Sequence, residues 1–428
     1  MVLRLQRLVY RVLLWLALPF IPLRLLLRGS KERGYWRQVP ERFGFCAPMP
    51  ERPVWIHAVS VGEARAAAPL VARFLALTVA PPVLITCMTP AGRVTLQQMF
   101  GDKVSVCYLP YDYPSMVRRF LRRVRPRLGL IMETELWPNL VREANRARMP
   151  LLLVNARLSA QSALRYQRLR RLTRSVLQGF AGLAAQTEED AERLRELGAA
   201  SVVVTGNLKF DLEPPADQLE LGRAMRKQVG ERPVWLAAST RAGEEELILD
   251  AFCGTAPANV LLVLVPRHPQ RFDEVAALAR DRGLSLQRRS GNEPVQAGTG
   301  VWLGDSLGEM FAYYAMADCA LIGGSLLPYG GQNLIEACAV GCPALLGPHT
   351  ENFKQATEDA ISCGAARRVA NAGEWAAQAA LLMQDASVRQ GMAAAGRAFA
   401  AAHRGAAQRT WTSLQLAARS QAQLAAEP

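Results

Sequence analysis

Several things are missing from this 428-residue sequence, and each absence removes a class of function. It has no G-x-x-x-x-G-K-[ST] loop, so it is not a P-loop nucleotide hydrolase. It has no D-x-D pair, so no paired-aspartate grip for a divalent metal is encoded. Its eight cysteines form no C-x-x-C pair. Cys87, Cys107 and Cys319 sit inside apolar runs, and Cys338 and Cys342 are one helical turn apart. They read as reduced core residues of a cytosolic compartment. No segment is of low complexity and no repeat of 20–50 residues is visible, which removes solenoids and propellers.

Acidic residues are scarce in one half only. Residues 1–212 carry 32 Lys and Arg against 15 Asp and Glu, a net +17; residues 213–428 carry 19 against 22, a net −3. A basic half joined to a near-neutral half points to an anionic partner for the first half, either nucleic acid or anionic lipid.

The N-terminus favours lipid and argues against nucleic acid. Residues 12–23 are almost wholly apolar, with Arg4, Arg7 and Arg11 before them and Arg24 and Arg28 after. The run is shorter than the roughly 20 residues of a straight spanning helix. It also lacks a small-residue cleavage site, which argues against a removed signal peptide. Three readings remain: an uncleaved anchor with snorkelling arginines, an interfacial helix, or a buried N-terminal helix. The basic and aromatic stretch after Arg28 fits lipid headgroups. Two arginine-rich stretches, at 118–127 and 165–174, are expected on exposed helix faces.

Half of the residues are apolar, and the length exceeds one comfortable core. Apolar runs without alternation recur from Val54: 54–59, 83–88, 104–109, 128–132, 151–155, 182–185 and 201–205. After a linker at 211–217 they resume at 234–239, 259–265, 301–304, 319–323 and 343–346. Such runs are parallel strands buried on both faces, with helices between them. The expectation is an α/β protein of two Rossmann-like doubly wound domains facing each other across a cleft. Residues 1–30 would be the membrane anchor, 31–212 the first domain and 213–428 the second, with ligands beyond the carboxyl ends of the strands.

Five motifs fall at strand ends. In H-A-V-S-V-G-E, Glu63 follows a strand and a glycine turn; Ser60-x-x-Glu63 is also a capping box, so a structural role competes with a catalytic one. His57, on an apolar strand, reads as a core histidine. In E-T-E-L-W-P-N, one of Glu133 and Glu135 is expected to face the cleft and the other to cap the next helix. A metal site there is disfavoured, because no histidine or third acid joins them. Lys209 in G-N-L-K-F and Arg267 in V-P-R-H-P are cations that suit a phosphate. Gly323-Gly324-Ser325 and Gly330-Gly331-Gln332-Asn333-Leu334-Ile335-Glu336 promise a helix starting near Gln332, with free N–H groups for a phosphate. Glu336 would lie one turn in, facing ribose hydroxyls.

Taken together these motifs resemble the bacterial 3-deoxy-D-manno-octulosonic acid (Kdo) transferases of lipopolysaccharide synthesis. The resemblance runs from the N-terminus to P-H-T-E-N-F at 348–353, and includes N-A-R-L-S at 155–159 and A-S-T-R-A-G-E-E-E at 238–246. It implies a GT-B fold with an N-terminal membrane-associated helix on the cytoplasmic face of the inner membrane. It implies an inverting, metal-independent glycosyltransferase that carries Kdo from CMP-Kdo to a lipid A precursor. No cofactor is implied beyond that donor. The implied partners are CMP-Kdo, the lipid A precursor and anionic membrane lipids, and not nucleic acid. Glu63 is implied as the general base, with Glu133 and Lys209 supporting the transition state. Pro266, Arg267, Leu307, Gly308, Glu309, Asn333, Leu334, Ile335 and Glu336 are implied to hold CMP. Gln332 and Leu334 depart from a family pattern of His and Pro, which leaves backbone contacts there intact. The competing readings are a UDP-sugar transferase of the same architecture, a non-catalytic membrane-bound nucleotide sensor, and a soluble epimerase.

Overall fold

The computed structural model describes residues 2–211 and 213–426. The chain forms two compact units, Met1–Asp211 with Gly405–Pro428, and Leu212–Arg404. Leu212, where the sequence ends the first domain, lies outside the described residues.

The first unit holds seven parallel strands: β1 (Val54–His57), β2 (Val83–Cys87), β3 (Ser105–Tyr108), β4 (Leu128–Met132), β5 (Leu151–Ala156), β6 (Gly182–Ala185) and β7 (Val202–Val204). Their order is β3-β2-β1-β4-β5-β6-β7. The central strands β1, β2 and β5 are buried along their whole length, because helices cover both faces. One face packs Trp55, Phe120, Ile131 and Leu153; the other packs Ile56, Leu70, Ile85 and Leu130.

The second unit repeats the plan: β8 (Val234–Thr240), β9 (Leu261–Pro266), β10 (Leu286–Arg288), β11 (Val301–Leu303), β12 (Cys319–Ile322), β13 (Ala344–Leu346) and β14 (Ala366–Arg368). All pairings are parallel, in the order β10-β11-β9-β8-β12-β13-β14. Two of these strands were not expected from the sequence, Leu-Gln-Arg at β10 and Ala-Arg-Arg at β14. Both are edges, where one side faces no neighbour and a continuous apolar run is unnecessary.

The last helix corrects the expected domain boundary. Ala406–Ala426 packs on the first unit, although the sequence places it in the second. Asp211 accepts from Gly405 N–H at 2.5 Å and from Ala407 N–H. Arg409 donates to the Thr205 carbonyl at 2.9 Å, and Trp411 meets Phe74 edge-on at 4.7 Å. An alanine-rich helix carries little in its own sequence to say which core receives it. These long-range contacts decide it.

The N-terminus forms two helices, Val2–Ala17 and Phe20–Lys31, bent by 53° where Leu18 and Pro19 interrupt them. No single described helix is long and apolar enough to cross a membrane; the bent pair is, by length and composition. The first helix turns its polar side to the protein. Gln6 accepts from Leu172 N–H at 3.0 Å, Arg7 donates to Ser175 at 2.7 Å and Tyr10 donates to Asp112 at 2.8 Å. Leu5, Leu8, Val12, Leu13, Trp15 and Leu16 are exposed. A buried N-terminal helix is thereby ruled out, since such a helix would orient the other way.

Candidate active site

In an open parallel sheet, a crevice forms beyond the carboxyl ends of the strands where the strand order reverses. In the first unit that point lies between β1 and β4. The chain leaving β1 turns through Ala58 and Val59 into the helix Val61–Leu75. Ser60 caps this helix, accepting from Glu63 N–H at 3.4 Å and donating its hydroxyl to Glu63 Oε1 at 3.0 Å. Val59 N–H donates to Glu63 Oε2 at 2.8 Å. The Ser60 cap therefore forms, but the carboxyl reaches back one residue further, to Val59 N–H instead of the capping-box Ser60 N–H, and is held at the switch point with 8% of the residue exposed. Burial raises its pKa to about 7; the Val59 N–H pulls it down and the Glu133 carboxylate pushes it up.

Glu133 follows β4 directly, in the left-handed region at φ 56°. A side chain in that region costs on the order of 1–3 kcal/mol, which the surroundings must offset. The turn brings its carboxylate to Lys209 Nζ at 3.0 Å, each side chain about a quarter exposed. Lys209 is held from below. Asn155, itself at φ 55°, accepts from Leu208 N–H at 2.9 Å, and Asn207 accepts from Lys209 N–H at 3.0 Å. Thr134 accepts from Arg157 N–H at 3.1 Å, tying the Glu133 turn to the Asn155 segment. Glu63, Glu133 and Lys209, far apart in sequence, are thus gathered at one sheet end.

Two expectations change here. Glu135 does not cap the helix Pro138–Arg146. Asp112 does, accepting from Asn139 N–H at 3.0 Å and Leu140 N–H at 2.7 Å. It comes from a separate loop, so local spacing gives no signal for it; burial lifts its pKa to about 7. Glu135 is instead half-buried, its pKa raised first by that burial and then by Glu133. The arginines of 118–127 are not simply solvated. Arg119, Arg123 and Arg127 donate to the carbonyls of Phe43, Cys46 and Arg52, strapping the 43–52 segment down. Those of 165–174 are exposed as expected. His57 is a buried core histidine, its Nδ1 2.9 Å from Thr86 Oγ1, and burial lowers its pKa to about 4.

In the second unit the order reverses between β8 and β12. From β12 the chain enters the glycine loop 323–331. Glu244, fully buried, accepts from Gly324 N–H at 2.6 Å, Leu326 N–H at 2.9 Å and Arg241 N–H at 2.9 Å. Beside it, Glu245 accepts from Thr240 at 2.9 Å and Arg271 at 3.0 Å. Glu244 therefore shapes the loop from within, while Glu245 ties the end of β8 to Arg271. Gly331 N–H bonds the Gly324 carbonyl at 2.7 Å and Gln332 N–H bonds that of Gly323 at 3.0 Å. Those two N–H groups are not free, contrary to the sequence reading. The helix begins at Ile335 instead of near Gln332, because Asn333 takes the Ile335 N–H at 3.0 Å. Glu336 thus sits in the first turn, accepting from Asn333 Nδ2 at 3.2 Å. Leu334 and Ile335 are buried whole, and the Ile335 N–H is already taken by Asn333.

Pro266 ends β9, and Arg267 N–H bonds the Thr240 carbonyl at 3.0 Å. Arg241, at the end of β8, lies 3.1 Å from His268 Nε2 and over the Tyr329 ring at 4.7 Å. Burial and the guanidiniums of Arg241, Arg267 and Arg271 keep His268 below its ordinary pKa. Two strand ends thus offer arginines to an anion. Leu307 is 74% exposed and Gly308 has φ 84°. Glu309 is gripped by Arg289 Nε and Nη2, each at 3.1 Å, and by Ser306 at 2.6 Å. Among the described residues, no three His, Cys, Asp or Glu side chains group to hold a metal ion.

Two Rossmann-like units in series, each with charged groups at its switch point, are the GT-B architecture. A solved glycosyltransferase from Rickettsia africae ESF-5 shares this fold at a TM-score of 0.54 and 13% identity, over 86% of this chain and 98% of its own. Residues 37–212 match the family described as 3-deoxy-D-manno-octulosonic-acid transferase (kdotransferase). The chain is 45% identical to the 3-deoxy-D-manno-octulosonic acid transferase of Bordetella pertussis, over 93% of this chain and 96% of the relative. It is 38% identical to that of Haemophilus influenzae, over 82% and 84%. The chain belongs to the 3-deoxy-D-manno-octulosonic acid transferase family.

Proposed function

We propose that this enzyme transfers Kdo from CMP-Kdo to a lipid A precursor in lipopolysaccharide synthesis, with inversion at the anomeric carbon and without a metal. The carrying observation is Glu63, a fixed carboxyl with a pKa of about 7 beside the Glu133–Lys209 pair. A hydroxyl is a poor nucleophile until a positioned base takes its proton, and such a base works best near the operating pH. Glu63 accepts the proton of the acceptor hydroxyl. The oxygen bonds the anomeric carbon, and the bond from that carbon to the CMP phosphate oxygen breaks with its electron pair. Lys209, oriented by Glu133, stabilises the charge developing during transfer.

The second unit holds the donor. Pro266, Arg267, Gly308 and Asn333 line the CMP, with Leu307 beside it. Glu309 and Glu336 accept from its hydroxyl or amino groups. Arg267 and Arg241 neutralise the departing phosphate, a monoester of lower charge than a diphosphate, which is why no metal is needed. The outward apolar face of the N-terminal helices rests on the cytoplasmic leaflet of the inner membrane, with the exposed arginines of 165–174 at anionic headgroups.

The deciding experiment incubates the chain with CMP-Kdo and a lipid A precursor, with and without chelator, and reads product masses. Adducts of Kdo mass in both arms are expected. Loss of activity with chelator would refute the metal-free mechanism. Competition by UDP but not CMP would move the assignment to a UDP-sugar.

A further inference from the structure

Between the N-terminal helix and the helices Pro138–Arg146 and Arg170–Leu177 lies a cavity of about 440 Å³. Arg7, Arg142 and Arg146 line it, with Asn145, Ser175 and Gln178 as neutral polar groups. Arg7 bonds Ser175 and so is held at the wall. The acid beside these cations is already engaged: Glu143 pairs with Arg146 at 2.9 Å and with Arg118 at 3.8 Å. The remaining positive charge is crowded. Arg142 is held below its ordinary pKa, first by burial and then by Arg146, with Arg7 and Arg11 adding to it. Crowded guanidiniums with neutral donors beside them form a receptor for a phosphate, which takes two parallel N–H bonds from each fork.

The surroundings say which phosphate. The same helix that supplies Arg7 presents Leu5, Leu8, Val12, Leu13, Trp15 and Leu16 outward. A free phosphate or a nucleic acid has nothing to place against that face, whereas a lipid has acyl chains.

We propose that this cavity binds the phosphate of an anionic glycerophospholipid headgroup, with the acyl chains along the exposed face of the N-terminal helix. The proposal deepens the membrane-surface reading and rests on it. It assigns the lipid of the supporting leaflet to this site and not the acceptor substrate.

Two measurements on the full chain separate the readings. The first titrates dibutanoyl phosphatidylglycerol, soluble without vesicles, into the wild type, an Arg142→Gln/Arg146→Gln variant and an Arg7→Gln variant. Each variant is first checked for an unchanged melting midpoint, and Arg7→Gln serves if the double variant fails to fold. The expected result is about a tenfold loss of affinity in the variants. Equal affinity overturns the proposal, and so does equal competition by inorganic phosphate, which would make the cavity a free-phosphate site. The second sediments phosphatidylcholine vesicles with and without phosphatidylglycerol. Wild type should bind both and gain from the anionic lipid; the variants should lose about tenfold of that gain, keeping the phosphatidylcholine binding and the part supplied by the exposed arginines of 165–174. An undiminished gain in the variants overturns the cavity assignment alone. If the wild type binds neither vesicle, the membrane-surface reading fails, and the soluble titration still reads the cavity. A raised KM for the lipid acceptor with the vesicle gain intact would reassign the site to the acceptor and overturn the proposal.

Discussion

The switch point of the first sheet is lined with side chains, and that of the second with backbone. In the first unit, Glu63, Glu133 and Lys209 project at the ends of β1, β4 and β7 on strained or capped turns. In the second, a glycine loop is drawn inward by the buried Glu244, and arginines stand at its rim. The difference follows from the tasks proposed. Moving a proton needs one group with a tuned pKa at a fixed place. Holding a nucleotide needs close backbone approach and diffuse positive charge, which glycine and arginine supply.

That contrast is sharpest in its largest expected effect. Glu63→Gln should lower turnover by about 10²–10⁴-fold while leaving CMP affinity, measured by calorimetry, unchanged. A parallel loss of CMP affinity would break the division of labour. Next comes Lys209→Met, which should cost about a hundredfold in turnover. Its melting midpoint should barely move, because a partly exposed ion pair contributes little stability. A large loss of stability would recast Lys209 as structural.

In the second unit the matching change is Glu244→Ala. It strands the N–H groups of Gly324 and Leu326 in the interior, at about 1–3 kcal/mol for each. The expected reading is weaker CMP binding and faster hydrogen exchange across 323–327, with exchange around Glu63 unchanged. The smallest effect is in pH. Transfer should fall about tenfold for each unit of pH below about 7, as Glu63 takes up a proton. Stability should run the other way. The raised pKa favours the fold below the ordinary value of 4.5, and that contribution is lost as pH rises through about 7. Glu63→Gln should flatten part of this slope; Asp112, also raised to about 7, and the carboxyls of Glu135 and Glu245, both raised by burial, retain the rest.

Much of the scaffold was legible along the chain. The twelve expected strands all form, because a strand covered on both faces must be apolar throughout. The two that were missed, Leu286–Arg288 and Ala366–Arg368, are edges without that constraint. The motifs at strand ends were legible as motifs. Their internal bonding was not: the loop 323–332 spends two of its N–H groups on itself, and the helix starts three residues late. Arg241, Glu244 and Asp112 act on partners that local spacing does not reveal.

The order of apolar runs, turns and charges determined two parallel sheets, placed candidate residues at their carboxyl ends and, through its motifs, indicated the family. These are properties of neighbours in sequence, where periodicity and turn chemistry act. Only the tertiary structure decided that Lys209 meets Glu133, that Asp112 caps a helix 27 residues away, that the last helix joins the first unit and that the N-terminal helix turns its leucines outward. Each is a contact between segments far apart in the chain. Such a contact forms because buried polar groups must find partners wherever the packed core brings them.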